Sequence, residues 1–229
     1  MDLSEDAYGK LINIAGRQRM LSQRIGFLFL AMSGHIESGA PVPGLLWNML
    51  EKALEDFDSG YRLLLNGDDT AGLPKLVSTR INKVLDAGDR TSGRAVIDRF
   101  LSEAHDHMQA LSEDSAPDRA VFDRFSEFVL LDLLQTLQAI VAALEEDFAE
   151  EMQRRRDKRQ EEAKRVMTAL QEIQRASKFS RMIALNAKIS ADKAGPYGKE
   201  FGALTEELKN ISSAITSSSE DILKHLTGL

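Results

Sequence analysis

Ile12-Asn13-Ile14-Ala15-Gly16-Arg17-Gln18-Arg19-Met20-Leu21-Ser22-Gln23-Arg24-Ile25 reads as a helix with two faces that both look unsuited to water. At about 100° per residue, Leu11, Ile14, Gln18, Leu21, Ile25, Leu28, Phe29 and Met32 gather on one side, an ordinary core stripe. On a second side Ile12, Gly16, Arg19, Gln23 and Phe27 line up. A solvated face rarely carries Ile and Phe around a helix-interior Gly, which costs roughly 1 kcal/mol against Ala. A contact face does, because Gly lets another backbone come close. Arg19 in the middle of such a contact needs a negative partner, and no carboxylate stands next to it on that face. The expected partner is a ligand, held by Arg19, Gly16, Gln23 and Ile12; an acid from another helix is the alternative.

Outward from this stretch, Ser4 with Glu5 and Asp6 behind it can cap the first helix. That helix should run to about Glu37 and stop at Ser38-Gly39-Ala40-Pro41-Val42-Pro43-Gly44. Helical spacing predicts further helices from about Leu45 to Asn66, Lys75 to Ala87 and Arg94 to Leu111, separated by Gly-, Asp- and Ser-rich breaks. From Asp118 to Ala194 there is neither Gly nor Pro. Phe122, Phe125, Val129, Leu133, Leu137, Ile140, Leu144 and Phe148 form a stripe there, which dies out between Gln153 and Glu162. Glu146/Glu150/Arg154, Glu151/Arg155 and Lys158/Glu162 stand four apart and can support a solvated helical stalk. Apolar spacing resumes at Val166, Leu170 and Ile173. Gly195-Pro196-Tyr197-Gly198 suits a tight turn, leaving a kink or a full reversal open. A last helix from Lys199 to about Leu226 places Phe201, Leu204, Leu208, Ile211, Ile215 and Ile222 on one face.

Composition narrows the function. Hydrophobic content of 43% supports a core, and no Val-rich alternating run suggests a strand, so the class is all-α. The absence of cysteine removes disulfides and thiolate chemistry. The acidic start Met1-Asp2-Leu3-Ser4-Glu5-Asp6 is the reverse of a signal peptide, and no uninterrupted apolar run nears the ~20 residues of a membrane span. A cytoplasmic location without a membrane span is therefore expected. A net charge of −7 argues against nucleic acid. His105 and His107 stand two apart, so their imidazoles point about 200° apart on a helix and are expected at the surface rather than on a metal. Arg17 and Arg24 are expected to be solvated or salt-bridged, and Trp47 to pack in a core or interface. No nucleophile–base pair, phosphate loop or paired-carboxylate site stands out, so neither an enzyme nor a cofactor is expected.

Two stretches resemble known families. Ile12-Asn13-Ile14-Ala15-Gly16-Arg17-Gln18-Arg19-Met20-Leu21-Ser22-Gln23-Arg24 resembles the amino-terminal (PilJ-type) domain of type IV pili methyl-accepting chemotaxis transducers. Leu63-Leu64-Leu65-Asn66-Gly67-Asp68 and Leu73-Pro74 are consistent with it. The same opening stretch is similar to the P-box of nitrate/nitrite sensor kinases through Ile12-Asn13, Ala15-Gly16, Arg19-Met20, Ser22 and Arg24. That resemblance implies a dimerising four-helix bundle with one anion between two Arg19 side chains and Gly16 beside it. Ile183-Ala184-Leu185-Asn186-Ala187-Lys188-Ile189, then Ala194-Gly195, Gly198-Lys199-Glu200-Phe201 and Glu206-Glu207, looks like a truncated arm of the chemoreceptor signalling hairpin. Through Leu185, Asn186, Ile189 and Phe201 it implies contact with a chemoreceptor, histidine kinase or coupling protein. The family's polar run is replaced here by Phe179-Ser180-Arg181, and Pro196 falls where the family keeps a helix.

Together these readings predict an antiparallel four-helix bundle over residues 1–150, a charged helical stalk over 151–172, and a helical tail over 173–229 broken at 195–198. The expected function is that of a homodimeric sensory protein binding a small oxyanion and relaying it to a chemotaxis-type partner. A dimeric scaffold that binds no ligand is the competing reading.

Overall fold

The computed structural model describes residues 3–68, 70, 72–73, 75, 78–86, 92–113 and 118–227. It is all-helical, with no strand among these residues beyond a single antiparallel bridge between Asp68 and Leu73. Contacts divide the chain into Met1–Glu151 and Met152–Leu229.

In the first unit local chemistry sets where each helix begins. Ser4 accepts from the Ala7 N–H at 3.1 Å and opens α1 (Glu5–Glu37), with Glu5 and Asp6 at the positive end of its dipole. α2 (Gly44–Asn66) ends at Gly67, whose φ of 73° no side-chain-bearing residue adopts readily. Ser78, Ser92 and Asp118 cap α3 (Thr79–Leu85), α4 (Gly93–Ser112) and α5 (Arg119–Phe128). α3 is shorter than its spacing suggested: Lys75 is not helical, and Ala87 lies outside the described residues.

The long helix expected after Asp118 is interrupted by a π turn, Val129–Leu133, before α6 (Leu134–Lys193) begins. Phe125, Val129, Leu133 and Leu137 recur at intervals of four, which in an α-helix drifts about 40° per step. One widened turn keeps all four buried.

An aromatic cluster ties the helices together. Phe57 of α2 meets Phe100 of α4 at 4.8 Å, Phe100 stacks on Phe125 of α5 at 6.1 Å, and Phe29 of α1 meets Phe125 edge-on at 5.9 Å. His107 sits in the same cluster, 4.6 Å from the Phe125 ring. This corrects the surface placement expected for it: Ile97, Phe100, Ala104, His107 and Leu111 form one buried stripe. Of this pair of histidines, His105 is the exposed one.

The bundle's other end is held by charge. Arg80 of α3 pairs with Asp147 at 2.7 Å, Glu150 at 2.7 Å and Glu146 at 3.3 Å. Glu146 and Glu150 thus serve the bundle as well as the helix they stand on. Arg119–Lys193 contains an 18-residue window of mean hydropathy 1.6, apolar enough by length and composition to cross a membrane. The expectation of no such segment had rested on uninterrupted runs. Within that stretch, Phe125, Phe128, Val129, Leu133, Leu137, Ile140 and Leu144 are buried in the bundle core.

In the second unit the later part of α6 and α7 (Lys199–Thr227) form an antiparallel hairpin. Lys188 donates to Glu206 across it, whereas eighteen residues of straight helix would separate them by about 27 Å. The break at 195–198 is therefore a reversal, made by a 3₁₀ turn (Gly195–Gly198) with Gly195 at φ 59° and Pro196 in its first turn. Gly198 is buried against the Ala191 carbonyl, where the two helices of the hairpin meet. The hairpin closes on residues seven apart: Leu170, Ser177, Ala184 and Ala191 on α6, then Gly198 at the end of the turn, and Thr205, Ser212 and Ser219 on α7. Their hydroxyls cost little to bury on α7, because Thr205, Ser212 and Ser219 donate to carbonyls of their own helix at 2.8–2.9 Å.

Candidate functional site

The outer face of α1 carries the expected ligand residues. Gly16 and Arg19 are brought together: a Cβ at Gly16 would lie 3.9 Å from Arg19 Nη2, so the guanidinium lies back over the glycine. Ile12, Gly16 and Arg19 are half-buried and Gln23 is exposed. Ser22, fully buried, donates to the Arg19 carbonyl at 2.9 Å and so fastens the turn that carries the guanidinium. No carboxylate among the described residues comes within ion-pair range of the Arg19 side chain. Its neighbours are paired differently. Arg17 reaches Asp56 of α2 at 3.5 Å, and Lys52 reaches the same carboxylate at 2.9 Å. The Lys52 hydrogen bond, aided by Arg17 and Arg24, holds the Asp56 carboxyl below its ordinary range.

On the opposite side of α1, Gln18 is buried against α2 with its Oε1 unpartnered. A Cβ at Gly60 would lie 3.2 Å from Gln18 Cδ and overlap its Nε2, so this glycine leaves room for the amide. The adjacent residues Gln18 and Arg19 therefore send an amide into the core and a guanidinium outward.

Gln23 leads into a shallow cavity of about 280 Å³, lined also by Gly26, Phe27, Leu30, Ser126 and Leu130. Phe27 is 69% exposed, and Met20, Leu30, Leu130 and Leu131 are each more than half exposed. Leu130 and Leu131 were missed in the sequence, although they fall outside the core stripe of their own helix. An amphipathic helix has no use for two adjacent leucines there unless its other face is also covered. A second, wider cleft of about 730 Å³ lies between α2, α4 and the loop joining α1 to α2, with half-buried Trp47 beside Glu51, His105 and Met108.

The tail residues singled out in the sequence do not share one surface. Leu185 and Ile189 lie toward the outer side of α6, with Asn186 exposed beside them. Phe201 belongs instead to a ridge on α7 formed with Leu204, Leu208, Ile211, Ile215 and Ile222, all 42–63% exposed. From Phe201 to Ile215 these follow one another by three and four residues, as in a coiled-coil stripe, and Ile222 stands seven further on, yet the hairpin's own contact uses the neighbouring positions. Glu206 lies at that contact, its carboxyl held down to about 2 by Lys188 and then Lys209.

Among the described residues no group of three or more His, Cys, Asp or Glu could hold a metal ion. Residues 4–112 match the family described as Type IV pili methyl-accepting chemotaxis transducer N-term. The match begins at the α1 cap and ends with α4, one helix short of closing the bundle. No curated protein and no solved structure matches the chain.

Proposed function

We propose that this chain is a non-catalytic signal-transduction protein of the chemotaxis-transducer kind. In this reading its bundle pairs with a second copy through the outer face of α1 and holds a small planar oxyanion, of the nitrate or nitrite class, between two Arg19 side chains. The observation that carries the reading is Arg19 itself: a half-buried residue with no acid in range among the described residues, its guanidinium lying over Gly16 on a face that continues into exposed Phe27, Leu30 and Leu130. A guanidinium offers a planar fork of donors suited to such an anion, and Gly16 leaves space above it. The family match over 4–112 supports the signalling role. The long helix that follows would carry the bound state toward a chemoreceptor, histidine kinase or coupling protein through the tail, a function carried out in the cytoplasm.

Titration calorimetry of the full chain with sodium nitrate and sodium nitrite tests it. Binding weakened by Arg19→Lys and abolished by Arg19→Ala is the expected result; no heat from a folded dimer refutes the anion. Inter-subunit distances near residue 160 that do not change with anion would refute the relay. The apolar lining of the cavity beside Gln23 favours one alternative, a scaffold that docks partners through this face without any small ligand. Co-purification with receptor or kinase in the absence of anion binding would select it.

A further inference from the structure

We infer that the cleft between α2, α4 and the loop joining α1 to α2 binds a small organic cation: a primary ammonium group on an apolar body. The inference rests on what lines it. Trp47 and Glu51 stand four apart on α2, so the indole and the carboxylate share one face of that helix, a turn apart. Trp47 is half-buried: part of its ring packs on the core and the rest is left to the cleft. Met108 of α4 and Val42 of the loop add apolar wall, and buried Leu111 closes the bottom. A volume of about 730 Å³ is within the range of sites that hold a small organic molecule.

The polar groups around this apolar lining are set to accept. His105 Nδ1–H donates to the Leu101 carbonyl at 2.6 Å, which leaves Nε2 of the neutral ring an acceptor. Ser112 donates its hydroxyl proton to the Gln109 carbonyl at 2.7 Å, and its oxygen keeps its lone pairs. The Gln109 amide nitrogen donates to Glu113 at 3.3 Å, and its Oε1 stays an acceptor. No Lys or Arg lines the cleft among the described residues. Nor does Glu51 have a cation within ion-pair range among them; its neighbour Lys52 turns to Asp56 at 2.9 Å and Glu55 at 3.4 Å. An ammonium group brings donors and no acceptor, and it is drawn to the negative face of an indole. It therefore matches a carboxylate beside Trp47 with acceptors along the rim. An anion would meet Glu51 with no cation to offset it, and a zwitterionic amino acid would bring its own carboxylate to the same place. The cleft shares no residue with the contact proposed at Arg19, so the two are tested apart.

Trp47 is the chain's single tryptophan, so its fluorescence reports on this cleft. The full chain is titrated with phenethylammonium chloride in mildly alkaline buffer at matched ionic strength. Phenylalanine and phenylacetate run in parallel, keeping the aromatic body and changing the charge. The inference expects a saturable change with the ammonium, with a dissociation constant of about 1 mM or below and roughly tenfold tighter than for the other two. Glu51→Gln, at an exposed position, should weaken it roughly three- to tenfold. Trp47→Leu, followed by calorimetry because the reporter is gone, should weaken it about two- to thirtyfold. Equal affinity for all three compounds would make the cleft an unselective apolar groove and overturn the inference. So would no saturation by about 10 mM ammonium, or an unchanged affinity in Glu51→Gln.

Discussion

Substituting Gly198 by alanine puts the hairpin's reversal to its strictest test. A Cβ at that position would lie 2.8 Å from the Ala191 carbonyl carbon and 3.0 Å from its Cα, and closer still to the carbonyl oxygen. All three atoms are backbone, so no rotamer change relieves the clash; α6 and α7 must separate by about an ångström where they cross. Forcing a methyl into a packed site costs typically 1–3 kcal/mol. The gain in helix propensity of Ala over Gly, about 1 kcal/mol, offsets part of that at most. A net loss of about 1–2 kcal/mol is expected, confined to the second unit. Amide hydrogen exchange of the full chain reads it locally: protection should fall in residues 184–206 and hold in 21–32. Gly202→Ala is the internal control, since its Cβ meets only the Ala191 methyl, at an ordinary 3.8 Å. That change should be neutral or slightly protective. If Gly198→Ala protects the tip as well as Gly202→Ala does, the helices do not cross at this residue and the reversal has been misread.

Two further expectations concern the bundle. Burial holds the His107 imidazole below its ordinary value of 6.5, against the opposing pull of Glu103 and Asp106. The unfolded chain therefore takes up the proton first: stability is full above about pH 6.5 and falls as pH drops below it, by at most about 1.4 kcal/mol per pH unit from this group. Denaturant melts of His107→Phe against the parent between pH 7 and pH 5 should show that slope removed, and equal slopes would refute it. Gln18→Leu removes a buried amide oxygen that has no partner and should stabilise the bundle by roughly 1 kcal/mol, because the desolvated acceptor costs more than its dispersion contacts return. A loss of midpoint in the same melts would mean that the amide is satisfied after all.

Helix order and boundaries were legible because Gly, Pro and capping residues punctuate this chain sharply. Ser4, Ser38–Gly44 and Gly195–Gly198 each end or begin an element where their chemistry requires. What spacing left unread has two causes. His107 was judged by its type rather than its position, although Phe100, Ala104 and Leu111 fix it on the buried stripe. The π turn was hidden because Val129 and Leu133 look well placed one step at a time, and only the accumulated drift across three intervals demands a wider turn. In the tail, spacing identified the apolar stripe on α7 but not which neighbour it faces. The contact falls on Thr205, Ser212 and Ser219 one position along, where small size rather than hydrophobicity decides. At Arg19, spacing isolated the residue with Gly16 beside it, because a lone cation among apolar neighbours is conspicuous without coordinates.

The anion proposed at Arg19 needs no moving part to influence pairing. An anion held between two Arg19 side chains binds only the paired chain, so it shifts the monomer–dimer balance by RT ln(1 + [L]/Kd), about 2.7 kcal/mol at a hundred times its dissociation constant. By linkage, pairing raises the apparent affinity for the anion by the same factor. The bundle carries its own aromatic core from four helices, whereas the hairpin leaves its larger side chains outside. In that reading, losing the anion changes how much of the chain is paired and not whether the bundle folds.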